Sequence, residues 1–588
     1  MASFVTKHVN GHSYLQIVQS KRINGKPHAV VLEHLGNADT LLKRLQEQNS
    51  PVIEVKSYSH GLVAALLQEA EKLEIVEILN RHACAARPYF ARKPLRNGCT
   101  VGCALLLAAI GRVCRPCSKM AWADWAEGTS LAWLLKTDIR NYDSQHFWDM
   151  MDSFPAERID DAYEEILKKA KELYDIDNEI ILYDTTNFFT YISSDNDRCG
   201  IARRGKNRQK RCDLRQVGLA MSVTRSDFIP LFFDIYEGNR NDTAEFSAVY
   251  SRIRNRLAGL GFGPGSHTLV FDRGCNSKKL LAEIGGEDGN AGFYVGALSP
   301  CHHMELMREA MKPDAPREHV QLGNMGIDVF RDRREVWGRE RTVLVYVSAE
   351  LRKGKLTEMQ KAIDRAEKKL QDENTRLSAE KSRKFSEEEM KKRVDGMVKM
   401  KGALQGLVCY EFERKKDVIA AVKWHVDSEL YNRLADESGY RIVMTNHHDW
   451  KSLDIIKCYH GQNDVEHSFH ELKNPWHIAV RPEFHWTDQK IKVHMFCCVI
   501  GFLLVSLIWK KLRSQKAFVG CLDNALEKLS SLRLAACSVR YGGGKPELTY
   551  KWETMSLEEL TIINTLGILN YHETCKVSNS FWQYKKES

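Results

Sequence analysis

The chain has 588 residues and a mass of 67.5 kDa, which at roughly 100 to 200 residues per domain predicts three to five structural units. Its 43% hydrophobic and 28% charged residues match the soluble globular average and exclude collagen-like, disordered and membrane-embedded classes. Eighty-six basic against 77 acidic side chains leave a formal net charge of +9, a mild bias toward an anionic partner such as nucleic acid.

The first residues, Met1 to Lys7, lack the apolar core of a signal peptide, so a cytoplasmic protein is expected. Residues 1–50 hold short β-like pieces broken by Asn10-Gly11 and Asn24-Gly25, a strong hairpin signal, ahead of a helix around Leu41 to Leu45. From 51 to 170 the pattern is helical, with Leu62, Leu66 and Leu67 on one face and the apolar run Val101 to Ile110.

The texture then changes. Ile180 to Asp184 and Thr268 to Asp272 are apolar runs that each end in a carboxylate, as buried central strands read. Between them, Gly218 to Thr224 and Pro230 to Tyr236 predict an antiparallel meander beside Asp184. The core is therefore expected to be mixed α/β. From Ser348 to Met400, Lys and Glu dominate, and Met359, Ile363, Ala366 and Leu370 mark a helix with a narrow apolar stripe, half of a helical hairpin. Strand signals return at Gly406 to Phe412 and Tyr440 to Asn446. Met495 to Trp509 is uncharged for fifteen residues, short of the roughly 18 to 20 that cross a bilayer, and reads as a buried helix with no membrane role.

The sixteen cysteines include several in apolar runs (Cys103, Cys497, Cys498) and show no small-domain disulfide spacing, so a reducing compartment is expected. Cys114 and Cys117 with Cys99 and Cys103 lack the two separated pairs of a good zinc module. His467 and His470 read as hydrogen-bonding or DNA-facing rather than metal-binding. Gly261 to Gly265 precedes a strand instead of following one, and Gly544-Lys545 lacks the upstream glycine spacing, so no nucleotide cofactor is expected.

Two aspartates ending adjacent buried strands are costly unless a cation compensates, although a strand-terminal Asp alone often only caps a turn. The segment Tyr459 to Lys473 adds a third carboxylate. At about 100° per residue, Tyr459, Gln462, Glu466 and Lys473 share one helical stripe, while Val465, Phe469 and Leu472 lie on another side. A solvated amphipathic helix would give the same periodicity.

Tyr459, two residues, Gln462, three residues, Glu466, six residues, Lys473: this spacing resembles the YREK signature of bacterial insertion-sequence transposases of the DDE type. The order of the other pieces is similar as well, with Asp184-Thr185-Thr186-Asn187, then Gly238 to Asp242, then Asp272-Arg273-Gly274 with Ser277, then Tyr440 to Asn446. The resemblance implies a ribonuclease H-like mixed-sheet catalytic core interrupted by an insertion domain. The resulting division is a hairpin module with a DNA-binding role at 1–50, a helical domain at 51–170, and the first part of the core at 171–330. The insertion would occupy 331–438, the second part of the core 439–515, and a C-terminal tail domain 516–588.

The same resemblance makes Asp184, Asp272 and Glu466 the catalytic residues and the ligands of two Mg²⁺ or Mn²⁺ ions, which suit all-oxygen donors. Tyr459, Gln462 and Lys473 would hold the DNA backbone. One departure stands out: the signature's Arg is Gln462, which can donate a hydrogen bond but carries no charge, so phosphate binding there is weaker or another cation supplies it. The run Arg203, Arg204, Lys206, Arg208, Lys210, Arg211, continuing to Arg215, puts seven basic residues in thirteen positions beside Asp184. It reads either as a solvated loop or as a phosphate-neutralising one.

The implied reaction is metal-dependent cleavage at the ends of a mobile element and strand transfer into target DNA. The implied partners are double-stranded DNA, as terminal inverted repeats and as target, and a second copy of the chain in a homodimeric synapse in the bacterial cytoplasm beside the nucleoid. A domesticated DNA-binding protein with weakened catalysis is the alternative, favoured by Gln462. A metal-dependent nuclease acting on unrelated substrates is a third.

Overall fold

The computed structural model describes residues 2–23, 26–48, 52–89, 96–193, 195–207, 209–263, 265–286, 292–379, 385–415, 418–461, 480, 483–540 and 547–575. The chain forms two compact units, one of Met1–Tyr174, Thr190–Gly200 and His470–Ser588, the other of Asp175–Phe189 and Ile201–Phe469. The protein is mixed α/β with a large mixed sheet.

The first unit begins with an antiparallel sheet of Ala2–Val9, His12–Ile23 and Lys26–Gly36. Val9 pairs with His12 across Asn10-Gly11, whose φ values of 49° and 78° are those a tight two-residue hairpin turn requires. Ile23 pairs with Lys26, while the second Asn-Gly pair lies outside the described residues.

Val52–Ser59 forms a strand, not part of the helical run, and pairs with Arg533–Arg540 in a second three-stranded sheet. The helices Gly61–Lys72, Val101–Cys114 and Ser144–Ser153 pack against Asp488–Ser514. That last helix is 27 residues long, because charged residues at both ends extend the apolar stretch. It is long and apolar enough to cross a membrane, yet 94% of its most apolar window is buried within the protein. Such burial on every side explains its lack of a polar face. Close packing uses glycine: a Cβ on Gly501 would lie 2.9 Å from Val113.

The second unit is built on a nine-stranded sheet. Its order is Arg317–Leu322, Met325–Val336, Arg339–Val347, Tyr440–Thr445, Phe293–Leu298, Thr268–Phe271, Ile180–Thr190, Arg215–Thr224 and Pro230–Glu237. Thr268–Phe271 runs parallel to both of its neighbours. The meander expected beside Asp184 is present, with Arg215–Thr224 and Pro230–Glu237 antiparallel.

Arg339–Val347 and Tyr440–Thr445 are antiparallel neighbours, and the chain between them makes a separate body of helices Ala349–Ser378, Glu387–Val398 and Ser428–Asp436 with a hairpin of Val408–Lys415 and Val418–Val426. Met359, Ile363, Ala366 and Leu370 from the long helix join Met390, Val394, Leu407, Val408 and Val422 in its core. Asn374 fixes the hairpin to the helix, donating to the Val422 carbonyl at 2.9 Å and accepting from the Val422 amide at 2.8 Å. The sequence boundary at 331 falls inside the strand Met325–Val336, so the inserted body starts about eighteen residues later than expected. The run Arg331 to Glu335 reads as polar because its strand has a largely solvated face.

Candidate active site

The register Tyr183↔Phe271 on parallel strands brings the next residue of each strand to neighbouring positions. Asp272 directly follows the strand Thr268–Phe271 as expected, whereas Asp184 does not end its strand, because Ile180–Thr190 runs on past it to Thr190. Asp272 remains extended at φ −74° and ψ 162°, which keeps the pleat going past Phe271. Tyr183 stacks on Phe246 of the helix Asp242–Gly259 at 4.1 Å, and Phe246 also meets Phe271 at 5.1 Å. Alternation along a strand then sends both aspartates to the opposite face. Asp184 is half-buried and Asp272 exposed; Asp272 lies at the carboxyl end of its parallel strand, where open α/β sheets place their ligand crevices.

Tyr459 occupies the last turn of the helix Ser452–His460, which Gly461 caps. Burial pushes its hydroxyl up to about 12, and the charge of Asp272 adds to that push; Arg441 and Arg273 oppose it. Arg441 donates a hydrogen bond to Tyr459 and lies 5.9 Å from the ring centre. Burial lowers the affinity of the neighbouring His460 for a proton, and Arg441 lowers it further; Tyr346 meets His460 Nε2 at 3.2 Å. The structure therefore sets Asp184, Asp272 and Tyr459 in one region with two guanidinium groups. Gln462, Glu466 and Lys473 lie outside the described residues, as does Arg208. Among the described residues no three His, Cys, Asp or Glu side chains gather as a metal-binding group.

The basic loop is braced rather than loose. Arg203 and Gln216 exchange backbone hydrogen bonds at 3.0 and 2.8 Å, and Gln216 Nε2 donates to the carbonyls of Lys206 at 3.2 Å and Gly238 at 2.6 Å. Arg203, Arg204, Lys206, Lys210 and Arg211 are exposed. Arg211 pairs with Asp213 at 2.6 Å and holds that carboxyl down at about 2, which leaves it partly neutralised.

Sequence reasoning named Gly238 to Asp242 as a motif but missed what its residues do and the buried Glu245 beside it. In Gly238 to Asp242, Gly238 admits the close approach of Gln216, since a Cβ there would overlap the Gln216 carbonyl. Asn241 caps the following helix by accepting from Ala244 N at 2.8 Å. Arg240 pairs at 2.9 Å with Glu245, whose side chain is fully buried. Burial raises Glu245 to about 7, and the nearby Asp234 adds to it, while Arg240 pulls the other way. Asp234 has its own partner in Arg252 at 2.6 Å. Arg441 carried one weak signal, a basic residue at the start of an otherwise apolar strand.

No family model matches the chain, and no curated protein matches it. Among solved structures, the piggyBac transposase synaptic complex with hairpin DNA aligns with a TM-score of 0.39 and 7% identity, over 79% of this chain and 79% of that one. A likeness of that size does not decide what this chain does; the geometry of its own residues has to.

Proposed function

We propose that the protein is a DNA transposase that cleaves phosphodiester bonds at the ends of a mobile element and joins the freed 3′ ends to target DNA. The reading rests on one observation above all: two carboxylates, Asp184 and Asp272, on neighbouring parallel strands, each the residue after the register pair Tyr183 and Phe271. In this reading the nine-stranded sheet is a ribonuclease H-like core and the body between Val347 and Tyr440 its insertion.

The donor set fits a hard divalent cation, because both groups offer oxygen only and follow register partners on neighbouring strands. Asp184, Asp272 and Glu466 would hold Mg²⁺ or Mn²⁺, two ions in all. Bound there, the ions would supply activation of the attacking oxygen and stabilisation of the leaving one. The chain's own residues do the positioning. Arg441 holds Tyr459 in place and, with Arg273, contributes positive charge around Tyr459; in this reading that charge compensates for the neutral Gln462. Lys473 and the exposed loop cations Arg203, Arg204, Lys206, Lys210 and Arg211 neutralise DNA phosphates.

The protein would act as a homodimer on two duplex ends, in the cytoplasm beside the nucleoid. Gln462 favours a second reading, a DNA-binding protein that keeps end recognition and has lost cutting. Excision from a plasmid carrying the gene with its native flanking DNA separates the two, with wild type compared to Glu466→Ala under Mg²⁺ and under Mn²⁺. Excision by wild type and none by the variant supports the enzyme; binding of the ends without cutting by wild type supports the second reading. Undiminished excision by the variant would show that Glu466 is misassigned.

A further inference from the structure

The inserted body carries a groove of about 950 Å³ whose lining is unusually basic. Lys353, Lys361, Arg365 and Lys369 line it from the helix Ala349–Ser378, and Lys399 and Lys401 from the segment after Glu387–Val398. Lys210, from the basic loop of the sheet, reaches the same groove. Against these seven cations stand two carboxylates, Glu350 and Glu358, and Glu358 is engaged with Lys355 at 3.3 Å. All seven cations are exposed. Among the described residues none of them makes an ion pair. This contrasts with the body's buried Glu373, which Arg376 and Arg393 both neutralise. A helix that leaves its cations unpaired along one groove, while pairing its buried acid twice, is built to meet a partner of opposite charge.

Spacing decides what kind of anion. On a helix that rises about 1.5 Å per residue, Lys353 to Lys369 cover about 24 Å, along the inclined row that residues four apart form. One small phosphate compound would touch one or two of these groups. A DNA strand presents a phosphate about every 3.4 Å along its axis and can meet all of them. The lining offers no aromatic platform on which unpaired bases could stack.

We propose that this groove is a second DNA-binding surface that grips the phosphate backbone of duplex DNA without reading its sequence, continuing the basic loop through Lys210. The proposal rests on the transposase reading and adds to it a role for the inserted body apart from the carboxylate site.

The test is fluorescence anisotropy of the full-length protein on a labelled 40-base-pair duplex over a KCl series. Wild type is compared with Lys353→Gln/Lys361→Gln/Lys369→Gln and with a control, Lys368→Gln/Lys391→Gln/Lys392→Gln, that removes equal charge from exposed sites outside the groove. The groove variant should lose affinity equally on native flanking and scrambled duplexes. Its slope of log K against log salt should become shallower by up to about 2.7, at about 0.9 per phosphate contact. The control should keep the wild-type slope. Wild-type binding with an unchanged slope in the groove variant overturns the groove and leaves the transposase reading standing, as does an equal loss in the control, which reduces the effect to net charge. Binding of an acidic polypeptide by wild type that the groove variant loses and that duplex DNA fails to compete also overturns it. No duplex binding by wild type overturns both.

Discussion

Tyr183 and Phe271 are register partners on parallel strands, and the residue that follows each is an aspartate. The pairing of two aromatic residues against Phe246 is what fixes the pairing of the two acids on the other face. Any slip of one residue between these strands would turn one carboxylate into the apolar layer, a placement that costs several kcal/mol for an unpaired charge.

From that geometry, Asp184→Asn and Asp272→Asn each remove a charged oxygen ligand while keeping the side chain's shape. DNA cleavage should fall by more than about 100-fold, the upper range found for mere outer partners of metal ligands, while end binding changes little. Titrating Mn²⁺ into wild type and both variants by calorimetry gives a readout independent of cutting. Unchanged Mn²⁺ binding in both variants would remove these residues from the metal site.

Gly238 shows how a motif residue can matter without touching substrate. A Cβ there runs into the Gln216 carbonyl, which is backbone and cannot swing aside, so Gly238→Ala should destabilise by about 1–3 kcal/mol. Gly396 is the counterexample, a helical glycine with nothing within 4 Å of where a Cβ would sit. Gly396→Ala should stabilise by up to about 1 kcal/mol. Urea melts of the two variants should shift in opposite directions, and equal shifts would refute the packing argument.

How much of this could be read from sequence depends on how local each cause is. Asn10-Gly11 announced its hairpin because two residues set the turn. The stripe Met359, Ile363, Ala366, Leu370 announced its helix because one periodicity sufficed. The apolar runs into Asp184 and Asp272 likewise marked central strands. Val52–Ser59 was absorbed into the helical stretch because its partner, Arg533–Arg540, lies at the far end of the chain. Arg331 to Glu335 was assigned to the insertion because a strand with a solvated face looks like a charged loop. Glu245 and Arg441 escaped notice for a related reason: their burial and partners come from tertiary folding, and no spacing rule points to them.

The thiols offer a test of the reducing-compartment reading. All sixteen cysteines are free, with Cys212, Cys301 and Cys521 exposed. A thiol reagent added to the native protein should modify about three groups rapidly, and the remainder only after denaturation. Reductant should leave the melting temperature unchanged, whereas a drop on reduction would reveal a disulfide and contradict the free thiols.

Glu245 gives a pH dependence with a definite sign. Its folded-state value is about 7, raised by burial and then by Asp234, against about 4.3 in an unfolded chain. The folded protein therefore holds this proton more tightly than the unfolded one. The resulting stabilisation is fully present below about pH 4.3 and is lost as pH rises through 7. Glu245→Gln keeps an oxygen to accept from Arg240 and removes the titration. Relative to wild type the variant should gain stability between pH 5 and pH 8, on the order of 2 kcal/mol, measured as the difference in urea midpoints at the two pH values. Wild-type and variant curves that stay parallel across that range would show that Glu245 is already ionised in the folded protein, with Arg240 outweighing both burial and Asp234.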